Sequence, residues 1–198
     1  MIQGSIAAWR ACFPRARCAN VQRWVISSAY RRANVVDADF VHFEGLRELY
    51  MAQCMEVTDA AFVHLRGIQT LDMSSCYQRT ITDTAFTHLA GIQRLSIMTC
   101  FQATITDAAF AHLRGIQLLN MSYCQQLTDA AFVHLRGIHT LYMWSCRAVT
   151  DAAFVHLRGI QALGMYGCSD VQVAAARSLD LPVYTLRCAP YTALLCTF

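Results

Sequence analysis

The feature that most constrains this chain is a phrase written six times: Thr-Asp-Ala-Ala-Phe-Val-His-Leu-Arg-Gly or a close variant, then Ile-x-x-Leu-x-Met-x-x-Cys. The closing cysteines Cys54, Cys76, Cys100, Cys124, Cys146 and Cys168 are spaced by 22, 24, 24, 22 and 22 residues. A fixed period of this size implies a stack of like supersecondary units, because one unit cannot bury its own apolar face and needs neighbours on both sides.

Other columns keep the register: Asp37, Asp59, Asp83, Asp107, Asp129 and Asp151; Phe40, Phe62, Phe86, Phe110, Phe132 and Phe154; Gly45, Gly67, Gly91, Gly115, Gly137 and Gly159. Each unit divides in two. In the first half Thr58-Asp59 offers side-chain oxygens to open N–H groups, Ala60 to Leu65 can coil, and Gly67 can take the left-handed position that ends a helix. This predicts a capped helix of about two turns, with Phe62 and Leu65 on the core side and His64 and Arg66 mostly elsewhere. The second half, Ile68 to Cys76, alternates apolar and polar residues around Leu71 and Met73, which is strand periodicity. Helix then strand at this length predicts an α/β solenoid: a right-handed arc with parallel strands on the concave face and short helices on the convex face.

The units resemble the cysteine-containing leucine-rich repeats, whose pattern is Leu-x-x-Leu-x-Leu-x-x-Cys followed by Ile-Thr-Asp and a Leu-x-x-Leu helix. Ile81-Thr82-Asp83, Ile105-Thr106-Asp107 and Leu127-Thr128-Asp129 carry the second element, with Phe-x-x-Leu in place of the helical leucine pair. The likeness covers residues 34–168. It implies that fold, and it implies a protein-binding arc; in that family the repeats often follow an F-box and serve as the substrate receptor of a ubiquitin ligase. Residues 1–33 are too short and too rich in arginine to match an F-box, so recruitment to a ligase does not carry over with the repeats.

The register extends at both ends. Val21 to Tyr30 lies over Ile68 to Tyr77, with Trp24 for leucine and Ala29 for cysteine, and predicts a degenerate first strand. Leu181-Pro182-Val183-Tyr184-Thr185-Leu186 fits the strand half again, after a helix-like Val171 to Leu179. The expected organisation is an N-terminal capping segment with a degenerate repeat over 1–33, six units over 34–168, and a capping repeat and tail over 169–198. About eight strands at ~4.8 Å each give an arc of roughly 35 to 40 Å.

Of the ten cysteines, six sit in the repeat column, while Cys12 and Cys18 flank an arginine-rich segment without partners at a motif spacing. The column cysteines read as small buried hydrophobes that fill the turn and bond nearby backbone. Neighbours in the column would lie near ~5 Å apart, so distance alone does not forbid pairing. A run of buried reduced thiols points to the cytoplasm or nucleus. Mitochondrial targeting is the lesser alternative: Arg10, Arg15, Arg17, Arg23, Arg31 and Arg32 all precede the first acid, Asp37,. No run of apolar residues is long enough to span a membrane, and no membrane partner is expected. All 16 basic residues are arginine, which reads as biased base composition before it reads as avoidance of lysine modification.

The column His42, His64, His88, His112, His134 and His156 invites a metal, yet the histidines fall on the helical half and the cysteines at strand ends, so one unit's pair would have to reach across the core. Six copies of one Cys and one His are the opposite of a unique nucleophile and base, and the chain is expected not to be an enzyme and to hold no cofactor. Arg66, Arg114, Arg136 and Arg158 form a convex row that could track a phosphate backbone, and nucleic-acid binding through it stands as an alternative to a solvated face.

Function in a solenoid lies where units differ. The side chains beside Leu and Met should project from the concave face, and they vary down the array: Tyr50, Asp72, Arg94, Asn120, Tyr142, Trp144 and Tyr166 are the candidate partner-binding residues. Tyr142, Trp144 and Tyr166 gather at one end, with Tyr123 a position further along its strand, and exposed Tyr and Trp are favoured as interface anchors. The expected function is a monomeric protein-interaction module that binds a partner protein through this face, with ubiquitin-ligase components as one candidate class. A structural array or gene remnant without a specific ligand is the alternative that near-identical units invite.

Overall fold

A computed structural model describes residues 22–26 and 35–185. Eight short strands stand in one parallel sheet in chain order: β1 (Arg23–Val25), β2 (Glu48–Tyr50), β3 (Thr70–Asp72), β4 (Arg94–Ser96), β5 (Leu118–Asn120), β6 (Thr140–Tyr142), β7 (Ala162–Gly164) and β8 (Val183–Tyr184). Trp24 pairs with Leu49 and Leu49 with Leu71, so the degenerate first strand holds the expected register as far as it is described. The proposed matches of Ser27 to Tyr30 and of Leu186, the cysteines Cys12 and Cys18, and all the N-terminal arginines except Arg23 lie outside the described residues.

Burial follows the columns. Leu49, Leu71, Leu95, Leu119, Leu141 and Leu163 enter from the strands, and Phe40, Phe62, Phe86, Phe110, Phe132 and Phe154 meet them from the opposite wall, all at 0% exposure. Each phenylalanine is too large for a single unit to cover, so the core is continuous along the stack and every interior unit depends on two neighbours.

The convex elements are tighter than expected. Asp59–Phe62 is α-helical and passes into a 3-10 turn over Val63–Leu65, while Asp107–His112, Asp129–His134 and Asp151–Leu157 are 3-10 throughout. In a 3-10 helix residues i and i+3 eclipse, which sets Phe and Leu of the Phe-x-x-Leu pair on one line towards the core. The repeat glycine does not cap the helix directly. Arg66 (φ −58°, ψ 128°) and Gly67 (φ +83°) are the central pair of a turn that Ile68 N–H closes on the Leu65 carbonyl at 3.0 to 3.1 Å in successive units. That is a type II turn, whose second central residue needs positive φ.

At the far end the register departs from expectation by one residue. Val183, not Tyr184, stands opposite Leu163, and Tyr184 is exposed. The unit from Cys168 onward takes a nine-residue helix, Asp170–Ser178, and returns through Pro182 with one residue fewer than Ile160 to Leu163 uses. A one-residue change of register exchanges the two faces of a strand, so the tyrosine that the repeat pattern places inside is outside.

Candidate functional site

Two ladders of side-chain bonds join the units and aim the concave face. The thiols of Cys76, Cys100, Cys124, Cys146 and Cys168 donate to the carbonyls of Met51, Met73, Ile97, Met121 and Met143 of the preceding unit, at 3.1 to 3.4 Å. Burial pushes these thiols up, Cys124 to about 12 and Cys100 well above the ordinary value, so they stand as neutral donors,. The described column cysteines form no disulfide with one another.

On the other side of the core Asp37, Asp59, Asp83, Asp107 and Asp129 each accept two bonds from the threonine of the next unit. The main-chain N–H of Thr58, Thr82, Thr106, Thr128 or Thr150 reaches one carboxylate oxygen at 2.6 to 2.9 Å. The hydroxyl reaches the other at 2.5 to 2.6 Å. The same hydroxyl accepts from its own helix, as in Ala60 N–H to Thr58 at 3.2 Å. The aspartates therefore clamp unit to unit, beyond the first-turn role that their sequence position suggests.

With the units so held, the residues beside the buried Leu column form the concave face. Tyr50, Asp72, Arg94, Tyr142 and Tyr166 are half-buried there. Asn120 and Trp144 are not available as drawn, being 2% and 4% exposed. Asn120 spends its carbonyl oxygen on the Ser122 N–H at 3.1 Å, and Asp72 likewise accepts from Ser74 N–H at 2.9 Å. Short Asx side chains readily bond the backbone two residues on.

Trp144 is the centre of a packed aromatic group. Tyr142 and Tyr166 meet its ring edge-to-face on either side, with centroids 6.1 and 6.2 Å away and planes at 82° and 76°. The seat for this group is Gly164. A methyl there would lie 2.7 Å from Tyr142 Cδ1 and 2.8 Å from Trp144 Nε1, so the missing side chain on β7 is what lets both rings lie down. Burial, and secondarily the Tyr184 hydroxyl, pushes the Tyr142 phenol up. At this end two half-buried tyrosines thus flank a buried tryptophan base.

The opposite end is charged. Arg23 lies 4.5 Å over the Tyr50 ring and 3.4 Å from Glu48, and the Tyr50 hydroxyl donates to Glu48 at 3.4 Å. Burial raises the Tyr50 phenol to about 12 against the pull of Arg23. From β5 to β7 the three positions beside Leu and Met carry no charge: Leu118, Asn120, Ser122, Thr140, Tyr142, Trp144, Ala162, Gly164 and Tyr166.

Sequence reading missed a second aromatic feature. Tyr77 and Phe101 stack at 5.4 Å with planes 8° apart, and both are exposed. They follow Cys76 and Cys100, the cysteines that open the two longer linkers, and the signal was the coincidence of length and aromatic in those two units.

On the convex side Arg66, Arg114, Arg136 and Arg158 are exposed, and Ala90 and Glu44 stand in their column in other units. His64 pairs with Glu44 at 2.7 Å, and Arg136 reaches His156 at 3.5 Å, so these two histidines bond the preceding unit's residue in the arginine column. Among the described residues no group of three or more His, Cys, Asp or Glu side chains is placed to hold a metal ion, and no helix is long and apolar enough to cross a membrane.

No family model matches the sequence, and no curated protein matches it. Solved structures do match in shape. The yeast complex of Rad7 and Elc1 has a chain of TM-score 0.58 at 17% identity over 77% of this chain, and the complex of TLR13 with ssRNA13 one of TM-score 0.62 at 16% identity over 79%. The Drosophila Toll complex with Spatzle gives TM-score 0.51 at 14% identity over 72%. The fold is a leucine-rich repeat solenoid. This solenoid spans 45%, 27% and 24% of the lengths of those three chains, which share its fold at identities too low to carry activity across.

Proposed function

We propose that this leucine-rich repeat chain is a protein-interaction module, not an enzyme, and that it takes a partner protein on the concave face at β5 to β7. The observation that carries this is the contrast between columns. Leu, Phe, Cys and Asp scarcely change from unit to unit, while the positions beside Leu do, and at one end they present Tyr142 and Tyr166 over Trp144 with no charge among them. Half-buried tyrosines on a rigid base bury much area at little entropic cost, which is what an interface anchor needs.

The finer reading is that the module presents substrates to a ubiquitin ligase. What supports it is the Cys-closed unit followed by Ile-Thr-Asp, together with the likeness in fold to Rad7, a protein solved in complex with Elc1. Proximity labelling from the full chain, compared with a Tyr142→Ala/Tyr166→Ala variant of equal stability, tests both levels. Loss of a reproducible set of labelled proteins is the expected result, and ligase subunits within that set would carry the finer reading. An unchanged set in a folded variant overturns the concave assignment.

A further inference from the structure

Asp151 is the sixth member of the clamp column, and among the described residues nothing bonds its carboxylate. The reason is a shortened linker. Cys124 and Cys146 stand five residues before the next helix-opening aspartate, Asp129 and Asp151, whereas Cys168 stands two before Asp170. The stretch that in earlier units brings a threonine over the preceding aspartate is missing.

Its inner half is replaced. Gln172 Nε2 donates to the carbonyls of Cys146 at 3.2 Å and Val149 at 2.5 Å, as Gln78 does to Cys54 and Val57 at 2.9 and 3.0 Å. Its outer half is not replaced. Ser169, which holds the threonine's place before Asp170, turns to its own helix: its N–H donates to Gln172 Oε1 at 2.8 Å and its hydroxyl accepts the Gln172 N–H at 3.3 Å. What remains is a cleft of about 520 Å³ lined by Arg147, Val149, Thr150, Asp151, Cys168 and Val171, with the Val171 side chain 74% exposed at its rim.

We infer that this cleft is a peptide site that takes an extended Ser- or Thr-bearing segment of a partner protein, whose N–H and hydroxyl bond Asp151 as Thr150 bonds Asp129. The ligand chemistry is written five times in the chain itself, since each preceding aspartate accepts that same pair of donors from one residue. Val171 favours an apolar neighbour to the hydroxyl residue. A second copy of the chain stacked head-to-tail does not meet the requirement. Val36 stands in the threonine position of the first helical unit; it has no hydroxyl, and its N–H is already given to Asp39 at 3.0 Å.

The test is a titration of the full ¹⁵N-labelled chain with the acetylated, amidated peptide Arg-Ala-Val-Thr-Asp-Ala, a copy of residues 147–152, followed by amide shifts. Saturable shifts at Asp151, Ser169 and Val171 are expected. Affinity should fall about fivefold when the peptide's threonine is replaced by valine, which removes one bond worth about 1 kcal/mol, and further when the protein carries Asp151→Ala, which removes both. The Asp151→Ala chain should stay folded, its unfolding temperature lowered by no more than about 4 °C, which separates a lost site from a lost fold. Equal affinity for the valine peptide, or no shift at saturation of the peptide's solubility, overturns the inference. So does Asp151→Ala shifting resonances of residues 186–198, which would make the chain's own end the occupant, or concentration-dependent self-association through the cleft, which would make it a second copy. The concave face is untouched by any of these outcomes.

Discussion

Thr82 gives both its donors to Asp59, 23 residues earlier in the preceding unit, the N–H at 2.8 Å and the hydroxyl at 2.6 Å, and so ties two successive helices together. Asp59→Ala should cost about 1 to 2 kcal/mol, since two bonds to a half-buried carboxylate are lost and the Thr82 N–H is left without its partner. Asp151 opens its helix in the same way but clamps nothing, so Asp151→Ala should lose only the helix-end attraction, about 0.3 to 1 kcal/mol. Urea unfolding of the two variants decides the matter, and equal losses would reduce the clamp to a first-turn charge.

The thiol ladder gives the fold an alkaline limit. Burial raises Cys76, Cys100, Cys124 and Cys146 far above the ordinary value near 9, to about 12 for Cys124. A group whose folded value lies above its unfolded value adds stability that is complete below the unfolded value and is lost as pH rises towards the folded one. Above pH 9 each of these thiols therefore releases a proton on unfolding and takes off about 1.4 kcal/mol per pH unit. Stability should be flat up to about pH 8 and fall steeply beyond it. Replacing Cys100 and Cys124 by alanine lowers the plateau through lost packing, and the slope above pH 9 should shrink by about two protons. An unchanged slope would sink the ladder as its cause.

Access orders the same thiols kinetically. Cys168 is half-buried at the end of the column, while Cys76, Cys100, Cys124 and Cys146 are sealed by the next unit. Only the thiolate reacts, and it forms least where the thiol is most buried. Iodoacetamide followed by peptide mapping should label Cys168 before any of those four, which should become reactive together when the stack unfolds. Early labelling of Cys100, in the middle, would contradict the stacking.

The period, the strand column and the buried faces were legible because they repeat, and repetition is the signal that a stack imposes on its core. The clamp was not, because Asp59 and Thr82 lie in different units and each also makes sense as a local cap. Nor was the register of β8, where Pro182 and a missing residue set Val183 opposite Leu163 while the apolar pattern favoured Tyr184. Trp144 read as an exposed anchor because strand alternation places it on the concave face; its burial depends on Gly164, which lies 20 residues on and acts by having no side chain.

That dependence yields the sharpest test of the concave face. A Cβ at position 164 would stand 2.7 Å from Tyr142 Cδ1 and 2.8 Å from Trp144 Nε1, closer than side chains tolerate, so in Gly164→Ala the rings must move while the backbone of β7 can stay. The expected cost is about 1 to 3 kcal/mol from overpacking. Trp144 should then leave its place between Tyr142 and Tyr166, seen as a red shift of its emission as water reaches the indole, measured in a chain whose other tryptophans are replaced by phenylalanine. Because the interface proposed for Tyr142 and Tyr166 needs a firm base, the same variant should lose the labelled partners that the double tyrosine variant loses, although it removes no tyrosine. A chain that is folded and red-shifted yet keeps every partner would separate the aromatic group from binding and move the interface elsewhere on the arc.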